Sequence, residues 1–308
     1  SEIEYGERDL ALYALGIGAA RDAADRSELK YVYELGDGFM AQPTYAAMPA
    51  LNSYLENAKN GRSLDGFNFG LDRVLHGEQY TELLRPMDRQ AKLTNTFTFK
   101  AAYDKDPHAI VVMAVDTVDE NGEKVAYNEI STFVRGGGGW GGDRGPSGDE
   151  NAAPDREPDA VITETTDPNQ TLLYRLSGDW NPLHADPDFA KAFGFDKPIL
   201  HGMCTFGYCG RHVIKAFADN DGRYFKSIKV RFAKSVYPGD TLETRMWKES
   251  DTRILFETRV VERDEVVISH AVVELYEEIP EVKPGLTADA EGEEAAVATV
   301  AAGAEQVV

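Results

Sequence analysis

Residues 203–217, MCTFGYCGRHVIKAF, put apolar or small side chains on nearly every face of a helix: Met203, Phe206, Gly207, Gly210, Val213 and Ile214. A helix without a polar side is a buried one. Strand signals follow it: SIKVRFAKSV (227–236), TLETRMWKE (241–249, after Pro238-Gly239-Asp240), ILFETRVVE (254–262) and VVISHAVVELYE (266–277). In the third, Ile254, Phe256 and Val260 face one way while Glu257 and Arg259 face the other, the period-two signature of a half-buried strand. One long buried helix beside a curved antiparallel sheet predicts an α+β hot-dog fold, in which the sheet wraps the helix.

The earlier part of the chain has the same ingredients. Asp9 to Gly16 reads as a short helix and LKYVYEL (29–35) as a strand. TYAAMPALNSYLENAKNG (44–61) reads as a helix interrupted at Pro49 and stopped at Gly61. LTNTFTFKA (93–101), AIVVMAVDTV (109–118) and VAYNEISTFV (125–134) are strands, and Asn121-Gly122 is a hairpin turn. Between the parts lies GGGGWGGDRGPSGDENAAPDREP (136–158), whose glycine, proline and charge mark a linker. The boundaries expected are a first repeat over 1–135, the linker, a second repeat over 159–279, and a disordered acidic tail over 280–308.

The two parts look like diverged copies. Leu12-Tyr13-Ala14-Leu15 matches Leu173-Tyr174-Arg175-Leu176 at an offset of 161; Pro43 matches Pro198 at 155, and Pro86 matches Pro238 at 152. A slowly falling offset is what duplication with loop changes leaves, so a double hot-dog with edge-to-edge sheets is expected.

Composition bounds the function. The chain has 308 residues, 42% hydrophobic and 28% charged, with a net charge of −21. Eight acids against one base lie from Glu277 onward, which leaves about two-thirds of the excess on the folded part. Such a surface argues against nucleic acid and anionic membranes as partners. No apolar run approaches a membrane span, and neither end carries a recognised address, so a cytoplasmic protein is expected. Cys204 and Cys209, five apart, read as buried free thiols.

The chemistry concentrates just before the buried helix, in SGDWNPLHADPDFA (177–190) and DKPILHGMCTFG (196–207). Asp179 precedes His184 by five residues. An acid and an imidazole on one irregular loop feeding a helix start suit proton transfer to a polarised carbonyl. Pro182 stiffens the loop, Asn181 offers an amide for orientation, and the N–H of Gly202 can meet an oxyanion. Under the first offset Asp179 falls on Gly18 and His184 on Ala23, so one site per chain is expected. The bland alternatives are a plain Asp-Trp-Asn-Pro turn, a metal site of Asp179, His184 and Asp186, and a structural His201 beside the helix start.

These two motifs resemble the signature of the MaoC-like, (R)-specific 2-enoyl-CoA hydratases. RDLALYALGIGA (8–19), VLHGEQYTEL (74–83), RFAKSVYPGDTLETRMWKE (231–249) and the Gly-rich linker resemble the two-repeat hydratase part of the peroxisomal multifunctional β-oxidation enzyme. The resemblance implies Asp179 and His184 as the catalytic pair, Gly202 as oxyanion donor with Asn181 orienting, and His76, Gly77, Lys105 and Phe232 as acyl-CoA contacts. It also implies a homodimer, no metal and no cofactor beyond the CoA thioester that is the substrate. Lacking dehydrogenase and sterol-carrier regions in this sequence, a stand-alone hydratase is expected. Its substrate would be a medium, long or branched acyl chain, with Pro49 loosening the first helix to admit the tail. The rivals are a thioesterase on the same fold and a non-catalytic acyl-CoA-binding subunit.

Overall fold

The computed structural model describes residues 1–60, 73–146, 148 and 150–281. The helix stop expected at Gly61 and the tail beyond residue 281 lie outside them.

The first half runs β1 (Glu2–Tyr5), α1 (Glu7–Gly16), α2 (Arg26–Leu29), α3 (Ala47–Lys59), β2 (Val74–Leu83), β3 (Ala91–Lys105), β4 (His108–Asp119) and β5 (Lys124–Val134). The second runs β6 (Ala160–Thr165), α4 (Gln170–Tyr174), α5 (Pro187–Ala192), α6 (Gly202–Phe217), β7 (Phe225–Phe232), β8 (Thr241–Lys248), β9 (Arg253–Val260) and β10 (Glu265–Leu275). All ten strands form one antiparallel sheet in the order β1-β3-β4-β5-β2-β7-β10-β9-β8-β6. Read outward from the centre, the two sides repeat each other strand for strand. This is the double hot-dog. The halves join at β2 and β7, where Glu78 pairs with Arg231 and Thr81 with Ile228.

α6 is sheathed on every side. Its own sheet supplies β7, β8 and β10, and the first half covers the opposite face. A Cβ on Gly207 would come within 2.4 Å of Ile17, and one on Gly210 within 2.4 Å of Thr44. Glycine inside a helix costs about 1 kcal/mol relative to alanine; here it lets the other half approach. The all-round apolar pattern of 203–217 therefore reflects two partners, one sheet and one neighbouring repeat. Tyr13, Met48, Tyr174, Phe206 and Phe256 lie in the core cluster that spans both halves.

Three expectations change. LKYVYEL (29–35) is not a strand: its backbone closes local turns, such as Val32 N–H to the Leu29 carbonyl and Gly36 N–H to the Tyr33 carbonyl. Tertiary contacts override its β pattern, because Tyr31 is buried and its hydroxyl donates to the Asn220 carbonyl. Pro49 does not interrupt its helix, since it is the third residue of α3, in the first turn, where the missing N–H has no intrahelical partner to lose. Asn128 donates instead to the nearby Ala46 carbonyl at 3.2 Å. α3 is continuous through Pro49 and is not loosened there to admit an acyl tail. Finally β1, β2, β6, α2 and α5 went unread as elements, being short or lying within motifs noticed for their chemistry.

The Gly-rich segment is pinned rather than loose. The Asp104 carboxylate, at the end of β3, accepts from the N–H groups of Asp106, Gly139, Gly141 and Gly142 at 2.7–3.3 Å. These backbone donors, Gly139 first, push its pKa down to about 2. Further on, Ala153 covers Trp247, Leu255 and Val272, and the Trp247 indole donates to the Arg156 carbonyl.

Candidate active site

The site is built on the loop between α4 and α6. A 3-10 turn, Arg175–Ser177, ends at Gly178, whose φ of +126° reverses the chain. Asp179 follows, its carboxylate accepting from the Asn181 N–H at 3.2 Å. Asn181 in turn caps the 3-10 turn Pro182–His184, its side-chain oxygen accepting from Leu183 N–H at 3.0 Å. Asn and Asp before Pro give this local geometry by Asx-type capping. Asp186 then caps α5 through the N–H groups of Asp188 and Phe189.

His184 is 8% exposed, and its Nδ1 lies 2.9 Å from the Ile199 carbonyl. A carbonyl only accepts, so Nδ1 carries the proton and Nε2 keeps a lone pair. Burial lowers the pKa of His184 below its ordinary value, against the opposing pull of Asp179. The imidazole is therefore a neutral base beside a carboxylate.

Sequence reasoning treated His201 as structural. The structure seats it against the pair. Its ring stacks on His184 with centroids 3.8 Å apart, and Tyr174 lies on it at 4.9 Å. Nε2 donates to the Asp179 backbone carbonyl at 3.2 Å, while Nδ1 faces the Thr171 hydroxyl at 3.2 Å. Thr171 also reaches the His184 carbonyl at 2.8 Å. Burial, then the neighbouring His184, holds His201 well below its ordinary pKa. Its only sequence signal was its place immediately before the helix start.

A carboxylate oxygen of Asp179 and one nitrogen from each of His184 and His201 lie within 4.8 Å of one another. Asp186, considered above as a metal ligand, is spent on capping α5, and His201 stands in its place. Both His201 nitrogens are engaged, which leaves His184 Nε2 and the Asp179 carboxylate as the open groups. That pair suits proton transfer better than a three-ligand metal site.

Gly202 opens α6, so its N–H has no intrahelical acceptor and sits at the positive end of a 16-residue helix. A Cβ there would come 3.1 Å from the Phe232 ring. Phe232, at the end of β7, lies 5.0 Å from the His76 ring on β2. Burial pushes His76 down to about 4, and its Nε2 meets Gln79 at 3.1 Å. Gly77 forms the irregularity between His76 and Glu78 that re-aims this strand. Contact by contact, the site thus runs from His184 through His201, Gly202 and Phe232 to His76, crossing from one half to the other. Lys105 stands apart: on the β2-β5-β4-β3 ladder it lies three strands from His76 and three residues beyond Ala102, the position the register sets in line with His76. Arg231 is occupied by Glu78 and the Gly148 carbonyl, whereas Lys234 is exposed. Cys204 and Cys209 are buried free thiols.

Two family models cover the chain: the MFE-2 hydratase 2 N-terminal domain over residues 3–136, and the MaoC like domain over residues 149–271. Enoyl-CoA hydratase 2, peroxisomal, of Arabidopsis thaliana is 41% identical over 86% of this chain and 88% of its own length. The chain belongs to the MaoC-like hydratase 2 family. Peroxisomal multifunctional enzyme type 2 of Mus musculus is 47% identical over 88% of this chain, which spans 36% of that longer protein. The crystal structure of a MaoC-like dehydratase from Phytophthora capsici superposes with a TM-score of 0.82 at 34% identity, covering 91% of this chain and 95% of that one. The site described above falls in the part matched by the MaoC like domain, with His76 and Gly77 supplied by the N-terminal domain. No helix among the described residues is long and apolar enough to cross a membrane.

Proposed function

We propose that the chain is an (R)-specific 2-enoyl-CoA hydratase, adding water reversibly to a trans-2-enoyl-CoA to give a (3R)-3-hydroxyacyl-CoA. The observation that carries this reading is a neutral His184 with Nε2 open beside the Asp179 carboxylate, stacked on His201, the residue immediately before Gly202 at the start of α6. The Asp179–His184 pair holds a water and takes one of its protons as the oxygen bonds to C3. Charge moves to the thioester oxygen, where the Gly202 N–H and the α6 N-terminus stabilise it; such a donor contributes roughly 3 kcal/mol. A proton returned from the pair to C2 completes the addition. Acid and base roles belong to both groups jointly. Asn181 orients the loop.

In this reading His76, Gly77 and Phe232 line the way from the pair to the inter-half seam, and Lys105 is assigned to a CoA phosphate at the far end of the pantetheine arm. No metal or further cofactor is invoked. A homodimer rests on family likeness. The cytoplasmic setting expected from the sequence competes with the peroxisomal names of two relatives, and cell fractionation decides between them.

The test follows the absorbance of the enoyl thioester conjugation with trans-2-decenoyl-CoA, reading the product with an (R)- or (S)-specific dehydrogenase. Loss of absorbance giving (R) product, abolished in folded Asp179→Asn and His184→Gln, is expected. Release of free CoA would indicate a thioesterase. Tight acyl-CoA binding without turnover would indicate a binding subunit.

A further inference from the structure

We propose that Asn52, on α3 of the half that lacks the proton-transfer pair, is a positioning residue that sets the aim of Asp179. This rests on the hydratase reading above. Met48 and Asn52 are one helical turn apart, so they share a face of α3. That face meets the catalytic loop at two points. The Tyr174 hydroxyl lies 3.3 Å from Met48 Sδ, and the Asn52 side-chain amide donates to the Ser177 carbonyl at 2.9 Å.

The second contact is unusually close. A Cβ on Gly178 would lie 2.3–2.5 Å from the Asn52 amide atoms, so only glycine admits that amide against the backbone. Gly178 also has the positive φ that turns the chain, and Asp179 is the next residue. The Asn52 side-chain oxygen is buried without a hydrogen-bond partner among the described residues. An amide that leaves its acceptor unsatisfied there is held for its donor and its shape. From the other side His201 holds the Asp179 carbonyl. Asp179 is thus clamped between a histidine of its own half and an asparagine of the other.

The experiment is steady-state hydration of trans-2-decenoyl-CoA by the full chain and four variants: Asn52→Leu, Asn52→Ala, Gly178→Ala, and Asn52→Ala combined with Gly178→Ala. Thermal melting is run beside it. Small displacements of a reacting group cost up to about 100-fold in rate. Asn52→Leu is expected to lower kcat by about 10- to 100-fold with KM within about threefold of wild type. If Asn52 acts through Gly178, the two losses are not additive, and the double variant is no slower than Gly178→Ala alone. Should Asn52→Leu fail to fold, Asn52→Ser, which keeps a small donor, takes its place and is expected to lose less kcat. Unchanged kcat in a folded Asn52 variant, or additive losses, would overturn the proposal. A wild type that does not hydrate the substrate would overturn the hydratase reading first.

Discussion

The two halves share a strand order and a central helix, yet one carries the chemistry and the other supports it. The difference lies in the segment leading to each helix. In the second half this loop brings Asp179, His184 and His201 together. In the first, the aligned position of Asp179 is Gly18, with φ of +78° and a Tyr208 ring atom 2.6 Å from where a Cβ would sit. An acid has no room there. The same loop instead buries Glu28, which meets Arg211 of α6 at 3.0 Å, and Arg211 also pairs with Glu164. The two frames are alike in strand order, and packing between them fills the position of one site while bracing the other.

The largest expected effect tests that asymmetry. Asp179→Asn or His184→Gln should remove at least about a thousandfold of kcat, since the general acid–base contribution and the water's orientation are lost together. The first half should show no residual second site in a stopped-flow burst.

Breaking the brace comes next. Arg211 is 1% exposed and bonds Glu28, Glu164 and the Ile17 carbonyl. Arg211→Met takes the guanidinium from two carboxylates, leaving Glu28 with Lys215 at 3.4 Å and Glu164 with His212 at 3.4 Å, and should cost about 3 kcal/mol of unfolding free energy in urea. The loss should fall if Glu28→Gln and Glu164→Gln are added, because the uncompensated charges are then removed. A smaller loss separates His201 from a plain structural histidine. His201→Phe keeps the stack on His184 but releases the Asp179 carbonyl, and kcat should fall about 10-fold with little change in melting temperature.

The gentlest probe is pH. His76, His184, His201 and His212 all lie below their ordinary value of 6.5, chiefly through burial. Above that value they are neutral in folded and unfolded chains alike and contribute nothing to pH dependence. Below it the unfolded chain binds more protons, so stability falls as pH falls. The acid limb of kcat/KM should likewise lie below 6.5, because burial keeps His184 neutral there against the pull of Asp179; a limb above 6.5 would contradict the buried, neutral imidazole.

Local pattern carried most of the fold and the centre of the site. Seven strands and three helices follow from periodicity, proline and turn residues, because each depends on neighbours in the chain. Asp179, Asn181 and His184 were legible for the same reason: one Asx-capped loop of six residues builds their geometry. His201 needed the tertiary structure, since its role lies in a stack and a carbonyl that no spacing announces.

By itself, then, the sequence determined the repeated helix-and-sheet pattern, the proton-transfer loop and the family it resembles. Tertiary structure alone decided that residues 29–35 turn instead of pairing, that Pro49 sits harmlessly in a first turn, that Lys105 stands apart from His76, and that Asn52 reaches Gly178. Those outcomes depend on side chains far apart in sequence, 183 residues for Glu28 and Arg211 and 125 for Asn52 and Ser177. Burial and close packing select such pairs only after the two halves meet, so no local pattern encodes them.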